Sequence, residues 1–98
     1  MPISDPLYRF TDAIVQGAPS NAGLYALWLD GDLIYVGRAA SIRERLLEHL
    51  RRRVCPCTEQ ATHYSWELSL QPATREVELL EIYKKRHGRL PLCNEEAA

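Results

Sequence analysis

The feature that most constrains the fold is a turn signal inside an aromatic, apolar stretch. The Asp-Gly pair at 30–31 separates two runs, residues 24–29 and 33–36, that are rich in Leu, Tyr and other strand-forming residues. Asp-Gly between such runs predicts a β-hairpin. A three-residue loop would pair Tyr25 with Tyr35 on one sheet face, whereas a two-residue loop would put the tyrosines on opposite faces. Joint function of both tyrosines therefore requires a loop of odd length.

Each predicted strand also carries a glycine and a tyrosine at its outer end. The two motifs are Gly23-Leu24-Tyr25 and Tyr35-Val36-Gly37. A turn alone does not require these residues, so the pattern indicates a role beyond the hairpin. Taken singly, each tyrosine could equally be a packing residue of a strand.

A helix is predicted directly after the second strand. Ser41 is a good N-cap for a helix over about 42–53. Because successive residues turn by about 100°, Arg45 and His49 fall on one flank of its apolar stripe, and Arg52 continues that flank. The helix therefore offers a row of polar groups at the edge of the core.

The rest of the chain supplies two more helices and one strand. Residues 6–17 have helical spacing and predict an N-terminal helix, and residues 63–70 alternate as a half-buried strand. Residues 73–87 predict a final helix that Gly88 ends. We expect a small α/β (α+β) fold with a three-stranded, mainly antiparallel sheet flanked by helices, in one domain over 1–98.

The final helix contains an acidic residue at an unusual position. On a helical wheel, Glu76 lies at the centre of the face formed by Leu79, Leu80 and Tyr83. A carboxylate on a core-facing stripe is costly unless something ligates it or pairs with it. Glu76 is therefore a candidate metal ligand, although structural pairing with Arg45 would give the same pattern.

Composition and charge narrow the function classes. The net charge of −1 gives no overall attraction for nucleic acid, so phosphate binding requires a local basic patch. No apolar run is long enough to span a membrane, and no signal peptide is visible. We therefore expect a cytoplasmic protein without a membrane partner.

The three cysteines have no obvious pairing in the sequence. Cys55, Cys57 and Cys93 are an odd number, and nothing indicates a secreted disulfide framework, so we expect reduced thiols. Cys55 and Cys57 with His49 or His63 could in principle hold zinc. Their spacing is tighter than that of ordinary zinc cysteines, and there is no second pair.

Over residues 22–94, the two motifs, the helix arginine and a late Glu and Asn resemble the GIY-YIG nuclease superfamily. Its members include the incision domain of bacterial excision-repair nucleases. Tyr25 and Tyr35 match the tyrosines of the two motifs, and Arg45 matches the helix arginine. His49 matches a position that is often Tyr or His in the family.

The resemblance also assigns supporting residues. Gly23 and Gly37 are the motif glycines, and Arg38 falls where relatives often carry Lys or Arg. Asn94 looks like the terminal asparagine and would brace the site.

The same resemblance bears on the glutamate. The family pattern places two apolar residues three and four positions after it, which selects Glu76. The stretch from Glu76 to Pro91 is longer than usual, so Glu78 and, less so, Glu81 stay candidates.

The resemblance implies a metal-dependent endonuclease that hydrolyses phosphodiester bonds in DNA. Glu76 would hold one divalent cation, Mg²⁺ or Mn²⁺. Arg45 would grip non-bridging phosphate oxygens. Tyr25 would help to deprotonate the attacking water and needs a cationic neighbour to do so, while Tyr35 and His49 would orient water and phosphate.

Contacts to the nucleic-acid backbone would come from arginines. The candidates are Arg38, Arg51, Arg52 and Arg53, the last three of which equally suit a solvated helix end. Backbone contacts do not read sequence, so we expect weak, poorly selective cutting unless a protein partner supplies targeting.

Two other functions remain open at this point. One is a non-catalytic nucleic-acid-binding or protein-interaction module that retains the fold. The other is a Cys/His metal-binding module, which bound zinc would indicate.

Overall fold

The protein is built on a four-stranded antiparallel sheet with the strand order β1-β4-β2-β3. The computed structural model describes residues 6–52 and 56–97. Its elements in chain order are β1 Tyr8–Arg9, α1 Asp12–Val15, β2 Gly23–Leu29, β3 Asp32–Ala39, α2 Ile42–Arg52, a 3₁₀ helix Pro56–Gln60, β4 His63–Leu68, α3 Pro72–His87 and α4 Leu92–Ala97. The predicted α+β class is confirmed.

The sheet has four strands rather than the predicted three, because the N-terminal segment joins it. The predicted helix over 6–17 is wrong except for the single turn of α1. Tyr8 pairs with Tyr64 of β4, and the Phe10 backbone N–H donates to the Thr62 carbonyl. The free edge of β4 offers hydrogen bonds and ring contacts that outweigh the helical pattern, as the 5.5 Å between the ring centroids of Tyr8 and Tyr64 indicates.

The β2–β3 hairpin reaches the expected facing by an unexpected route. Its loop has two residues, Asp30 and Gly31, both with positive φ (46° and 92°), as in the tight turns that suit hairpins. Leu29 pairs with Asp32, so the two-residue loop is the one that forms, and the expectation that the tyrosines share a face only with a loop of odd length is wrong. A bulge skips Ile34 between the pairs Trp28↔Leu33 and Leu27↔Tyr35. The bulge shifts the strand pairing by one residue. Tyr25 and Tyr35 therefore lie on the same face of the sheet.

The sheet separates two apolar cores. Tyr25 and Leu27 face α2, where Ile42 and Leu46 are buried. Leu24, Ala26, Trp28, Leu33 and Val36 face the other way and pack against Leu79, Leu80 and Tyr83 of α3. The two long helices therefore cover opposite faces of the sheet.

Both long helices begin and end as their sequences indicate. The Ser41 hydroxyl accepts the Glu44 N–H (3.4 Å) at the start of α2. Pro72 opens α3, and Gly88 ends it in the left-handed conformation with φ 76°. Within the described ranges, no helix is long and apolar enough to cross a membrane.

The expectation of reduced thiols is wrong for two of the three cysteines. Cys57 and Cys93 form a disulfide across a sequence separation of 36 residues, with their Cα atoms 5.5 Å apart. The bond joins the 3₁₀ helix to α4, a packing that cysteine spacing alone does not reveal. It also removes Cys57 from any zinc pair with Cys55, which lies outside the described residues.

Candidate active site

Tyr25 lies fully buried in β2, and its ring covers Gly37 of β3. The two residues are cross-strand partners. A Cβ at position 37 would lie 2.5 Å from the Tyr25 hydroxyl oxygen, well inside contact distance. The glycine of the second motif is therefore required by the tyrosine of the first.

Gly23 is required by close packing at the start of the same strand. A Cβ there would overlap the backbone carbonyl oxygen of Glu67 in β4 and would lie 2.9 Å from Cδ1 of Ile42 in α2. The missing side chain lets β4 and the start of α2 both approach β2. Close contacts at positions 23 and 37 therefore explain why both residues are glycine.

A buried chain of hydrogen bonds runs from Tyr25 through His49 to Thr58. The Tyr25 hydroxyl lies 2.8 Å from His49 Nε2, and His49 Nδ1 lies 3.2 Å from Thr58 Oγ1. His49 is 4% exposed, and the other two residues are more deeply buried. Each ring nitrogen has a partner, so the orientation of the imidazole is fixed. Thr58 escaped sequence analysis because nothing there shows that the 3₁₀ helix packs on α2.

Burial keeps both members of the central pair neutral. It raises the pKa of Tyr25; neighbouring Tyr35 adds to the rise, and the Arg45 guanidinium opposes it. Burial, aided by the charge of Arg45 and opposed by that of Glu48, lowers the pKa of His49 to about 4. At neutral pH, His49 is therefore an uncharged imidazole that can accept a proton.

Tyr35 is the partly exposed member of this aromatic cluster. Its ring centroid lies 6.0 Å from that of Tyr25 and 5.5 Å from that of His49. Tyr25 itself has no exposed surface. Of the two motif tyrosines, only Tyr35 presents surface to a substrate.

Arg45 lies one helical turn before His49 and lines a cleft of about 610 Å³ that Arg38 also lines. Its Nη1 donates to Glu48 Oε2 at 2.6 Å, and both side chains are more than a third exposed. This ion pair goes to Glu48 and not to Glu76, so the pairing that could have mimicked a site does not form. The i,i+3 spacing of Arg45 and Glu48 was the available signal for this partner.

Asn94 holds the exposed edge of β3 next to the cluster. Its Oδ1 accepts the Val36 N–H and its Nδ2 donates to the Val36 carbonyl, each at 2.9 Å. β3 is the edge strand of the sheet, so these backbone groups would otherwise lack a strand partner. Asn94 therefore fixes the residue between Tyr35 and Gly37.

The candidate glutamates lie on α3, across the sheet from the tyrosine–histidine cluster. Glu76 is half-buried, and no side-chain hydrogen bond or ion pair joins it to any residue in the described part of the chain. Glu78 pairs with Arg75 at 3.1 Å, and Glu81 is exposed. The structure thus gathers Tyr25, Tyr35, Arg45 and His49 but does not join Glu76 to them by a hydrogen bond or ion pair.

The predicted backbone-binding arginines differ in their surroundings. Arg38 is exposed and lines two neighbouring clefts. Arg51 pairs with Asp12 of α1 at 2.8 Å. Arg52 lies in α2, but its side chain, like all of Arg53, is outside the described residues.

Comparisons with known proteins place this geometry in a fold. No protein-family model matches the chain. The GIY-YIG N-terminal endonuclease domain of UvrC from Thermotoga maritima, solved with its catalytic magnesium, superposes with a TM-score of 0.63 over 80% of this chain and 88% of that domain, at 23% identity. The chain has the GIY-YIG fold. A variant of the same UvrC domain with asparagine replaced by alanine gives a TM-score of 0.64 over 80% and 87% of the two chains, at 21% identity.

A curated relative agrees with this GIY-YIG assignment. UvrABC system protein C from Aquifex aeolicus is 27% identical over 85 residues, which is 79% of this chain. The match spans only 15% of that protein's length.

The acidic, histidine and cysteine side chains of the described residues determine how a divalent cation could be held near the tyrosine–histidine cluster. No group of three or more His, Cys, Asp or Glu side chains comes together in residues 6–52 and 56–97. Those residues therefore form no cage of protein ligands, and Cys57 is held in a disulfide, whereas Cys55 lies outside them. This arrangement fits a cation held by one carboxylate and water, as Mg²⁺ often is, and the unpaired, half-buried Glu76 has the right donor chemistry.

Proposed function

We propose that this chain is an endonuclease that hydrolyses phosphodiester bonds in DNA with the help of one divalent cation, Mg²⁺ or Mn²⁺. The observation that carries the proposal is the buried Tyr25–His49 hydrogen bond of 2.8 Å, with Arg45 one turn away on the same helix. The GIY-YIG fold and the similarity to UvrC support it.

Tyr35 contacts the attacking water, because it is the motif tyrosine with exposed surface. Tyr25 stands behind it as a positioning residue. The sequence-based assignment of Tyr25 as the group that touches water is hard to reconcile with a hydroxyl that has no exposed surface. In the proposed arrangement, Tyr25 holds the neighbouring phenol and connects it to His49.

His49 accepts the proton at the end of this chain. With hydrogen on Nδ1 bonded to Thr58 Oγ1, Nε2 is free to accept the Tyr25 hydroxyl proton. Burial raises the pKa of Tyr25, so a lone phenolate there is unfavourable. Tyr25 stays neutral because it takes a proton from the Tyr35 hydroxyl as it gives its own to Nε2. The attacking water then loses one proton, His49 gains one, and neither phenol keeps a charge.

Arg45 binds the scissile phosphate from the cleft. Its guanidinium is partly exposed and held in place by Glu48. A guanidinium fork suits two phosphate oxygens and stabilises charge that grows on them during hydrolysis. Arg38, on the wall of the same cleft, contacts the backbone nearby.

Glu76 holds the cation in this proposal. It lies near the start of α3, and residues of that start line one cleft with Arg38, which also lines the cleft of Arg45. A bound divalent cation supplies charge neutralisation to the phosphate. Glu78 is less suited, because Arg75 already neutralises it.

The proposal is tested by cleavage of mixed DNA structures with Mg²⁺, Mn²⁺ or EDTA. We expect metal-dependent nicking that Glu76→Gln lowers by about 100-fold or more, because the ligand charge is lost. Glu78→Gln and Glu81→Gln are matched controls on the same helix and should cut within about threefold of wild type. If a control variant lost cleavage and Glu76→Gln did not, the metal ligand would be the glutamate replaced in that control. If wild type binds DNA but cuts none of the structures, the chain is instead a non-catalytic binding module.

A further inference from the structure

A third cleft lies on the sheet face opposite the tyrosine–histidine cluster. It has a volume of about 560 Å³ and separates the tip of the β2–β3 hairpin from the C-terminal half of α3. Trp28 and Leu33 line it from the hairpin, and Ile82, Tyr83 and Arg86 line it from the helix. No residue of the proposed catalytic cluster takes part in it.

The walls of this cleft carry apolar and aromatic side chains beside charged ones. Ile82 is 39% exposed and Leu92, also in the lining, is 42% exposed. The rings of Tyr83 and His87 stack with centroids 4.2 Å apart. A flat ring fits such surroundings, since stacking and apolar contact need no particular hydrogen-bond pattern.

The rim of the cleft is cationic and unpaired. Arg86 and Arg89 line it, and Lys84 and Lys85 lie beside them on exposed helix surface. Within the described ranges, none of these four side chains forms an ion pair. Elsewhere Arg45, Arg51 and Arg75 each bind a carboxylate.

Helix-end electrostatics alone do not explain this rim. Cations in the last turn of a helix are favoured by the helix dipole. Arg89 lies beyond the end of α3 at Gly88 and yet lines the same cleft. One carboxylate, that of Asp32, also lines the cleft, so the cations are in excess.

We infer that this cleft binds an unpaired nucleotide of single-stranded nucleic acid. The base lies against Ile82 and Tyr83, beside the buried Trp28, and Arg86 and Arg89 contact the adjoining phosphates. The inference extends the proposed nuclease function, because it adds a second contact on the far face of the sheet. Single-stranded nucleic acid and the unpaired ends of a duplex should bind more tightly than an intact duplex, because paired bases cannot enter the cleft.

Fluorescence anisotropy of labelled oligonucleotides in EDTA tests the inference without cleavage. The full chain is titrated into a short DNA single strand, its duplex, and an abasic strand with the same number of phosphates. We expect the ordinary strand to bind about tenfold more tightly than the abasic strand, because only its bases can stack. Equal affinity for the two strands would overturn the inference.

Two charge-matched variants locate the binding. Arg86→Glu should weaken binding of the single strand by about tenfold and flatten its salt dependence, since a phosphate contact is lost. Arg9→Glu makes the same charge change at an exposed arginine of β1 and should weaken it by less than about threefold. Equal losses in the two variants would mean diffuse attraction and would contradict the cleft site.

Tryptophan fluorescence gives a second, local readout. The chain has two tryptophans, so Trp66→Phe leaves Trp28 as the reporter. The ordinary strand should quench Trp28 and the abasic strand should not. Displacement of the bound strand by a poly-glutamate peptide of equal charge, as readily as by unlabelled strand, would assign the cleft to acidic protein segments instead.

The cleavage assay separates this inference from the proposed function. Binding that depends on Arg86 in a chain that never cuts DNA would leave the inference standing and remove the nuclease. Metal-dependent cutting with no effect of Arg86→Glu on strand binding would do the reverse.

Discussion

Burial shifts the pKa values of two individual residues, Tyr25 and His49, so that both side chains stay neutral. The Tyr25 hydroxyl and the His49 imidazole form a buried hydrogen bond, and burial favours the neutral form of each. Thr58 fixes the far side of the imidazole. The desolvation that keeps His49 uncharged at neutral pH lowers its pKa and so makes the fold sensitive to acid.

Stability should fall as His49 becomes protonated in the unfolded chain. The pKa of His49 is about 4 in the folded state against an ordinary 6.5, so between these values the unfolded state binds more protons. The contribution is complete above pH 6.5 and is lost as the pH falls toward 4. From pH 7.5 to 4.5, this loss is on the order of 2 to 3 kcal/mol.

Urea unfolding of wild type and His49→Gln at the two pH values isolates this contribution. Glutamine can keep a hydrogen bond to Tyr25 but does not titrate. Wild type should therefore lose roughly 2 to 3 kcal/mol more unfolding free energy on acidification than the variant does. An equal loss in both proteins would show that His49 is not the titrating group.

At the scale of elements, the Cys57–Cys93 disulfide joins the two segments that steady the site. The 3₁₀ helix brings Thr58 to His49, and α4 brings Asn94 to the edge of β3. These segments are distant in sequence but neighbours of the same active-site cluster. The bond therefore restrains both supports at once.

Reduction of this disulfide should destabilise the protein and slow cleavage. Opening a loop of 36 residues costs about 4 kcal/mol in the chain-entropy treatment, and less if the reduced unfolded state keeps structure. Urea unfolding with and without reductant measures the loss. The Cys57→Ala/Cys93→Ala double variant is the control and should not respond to reductant. Three free thiols in the denatured, unreduced chain, instead of one, would contradict the bond.

Local patterns predicted most elements, and long-range pairing decided the remainder. The α2 and α3 helices follow from their caps and apolar stripes, and the hairpin follows from its Asp-Gly turn. The bulge at Ile34 and the pairing of β1 with β4 depend on partners that no local window contains. The same is true of the Cys57–Cys93 bond.

In the whole molecule, each face of the sheet carries one of the two proposed nucleic-acid sites. One face carries Tyr25, Tyr35 and His49 under α2, and the other carries α3 with Glu76 and the cationic cleft. Sequence motifs could predict the first group, since its members match one family pattern. They could not predict that α3 covers the opposite face, because side-chain spacing within a helix does not say which face of a sheet it packs on.

Single-turnover cleavage rates of four tyrosine-to-phenylalanine variants show whether the tyrosine–histidine cluster catalyses hydrolysis. Tyr25→Phe and Tyr35→Phe remove only the hydroxyl oxygens of the proposed proton path, and each should slow cleavage by about 100-fold or more. Tyr64→Phe removes another buried hydroxyl, bonded to the Ile14 carbonyl at 3.0 Å, and Tyr8→Phe removes a half-buried one. These two controls should cut within about threefold of wild type. If Tyr25→Phe and Tyr35→Phe cut as fast as the controls, the tyrosine–histidine cluster is not the active site.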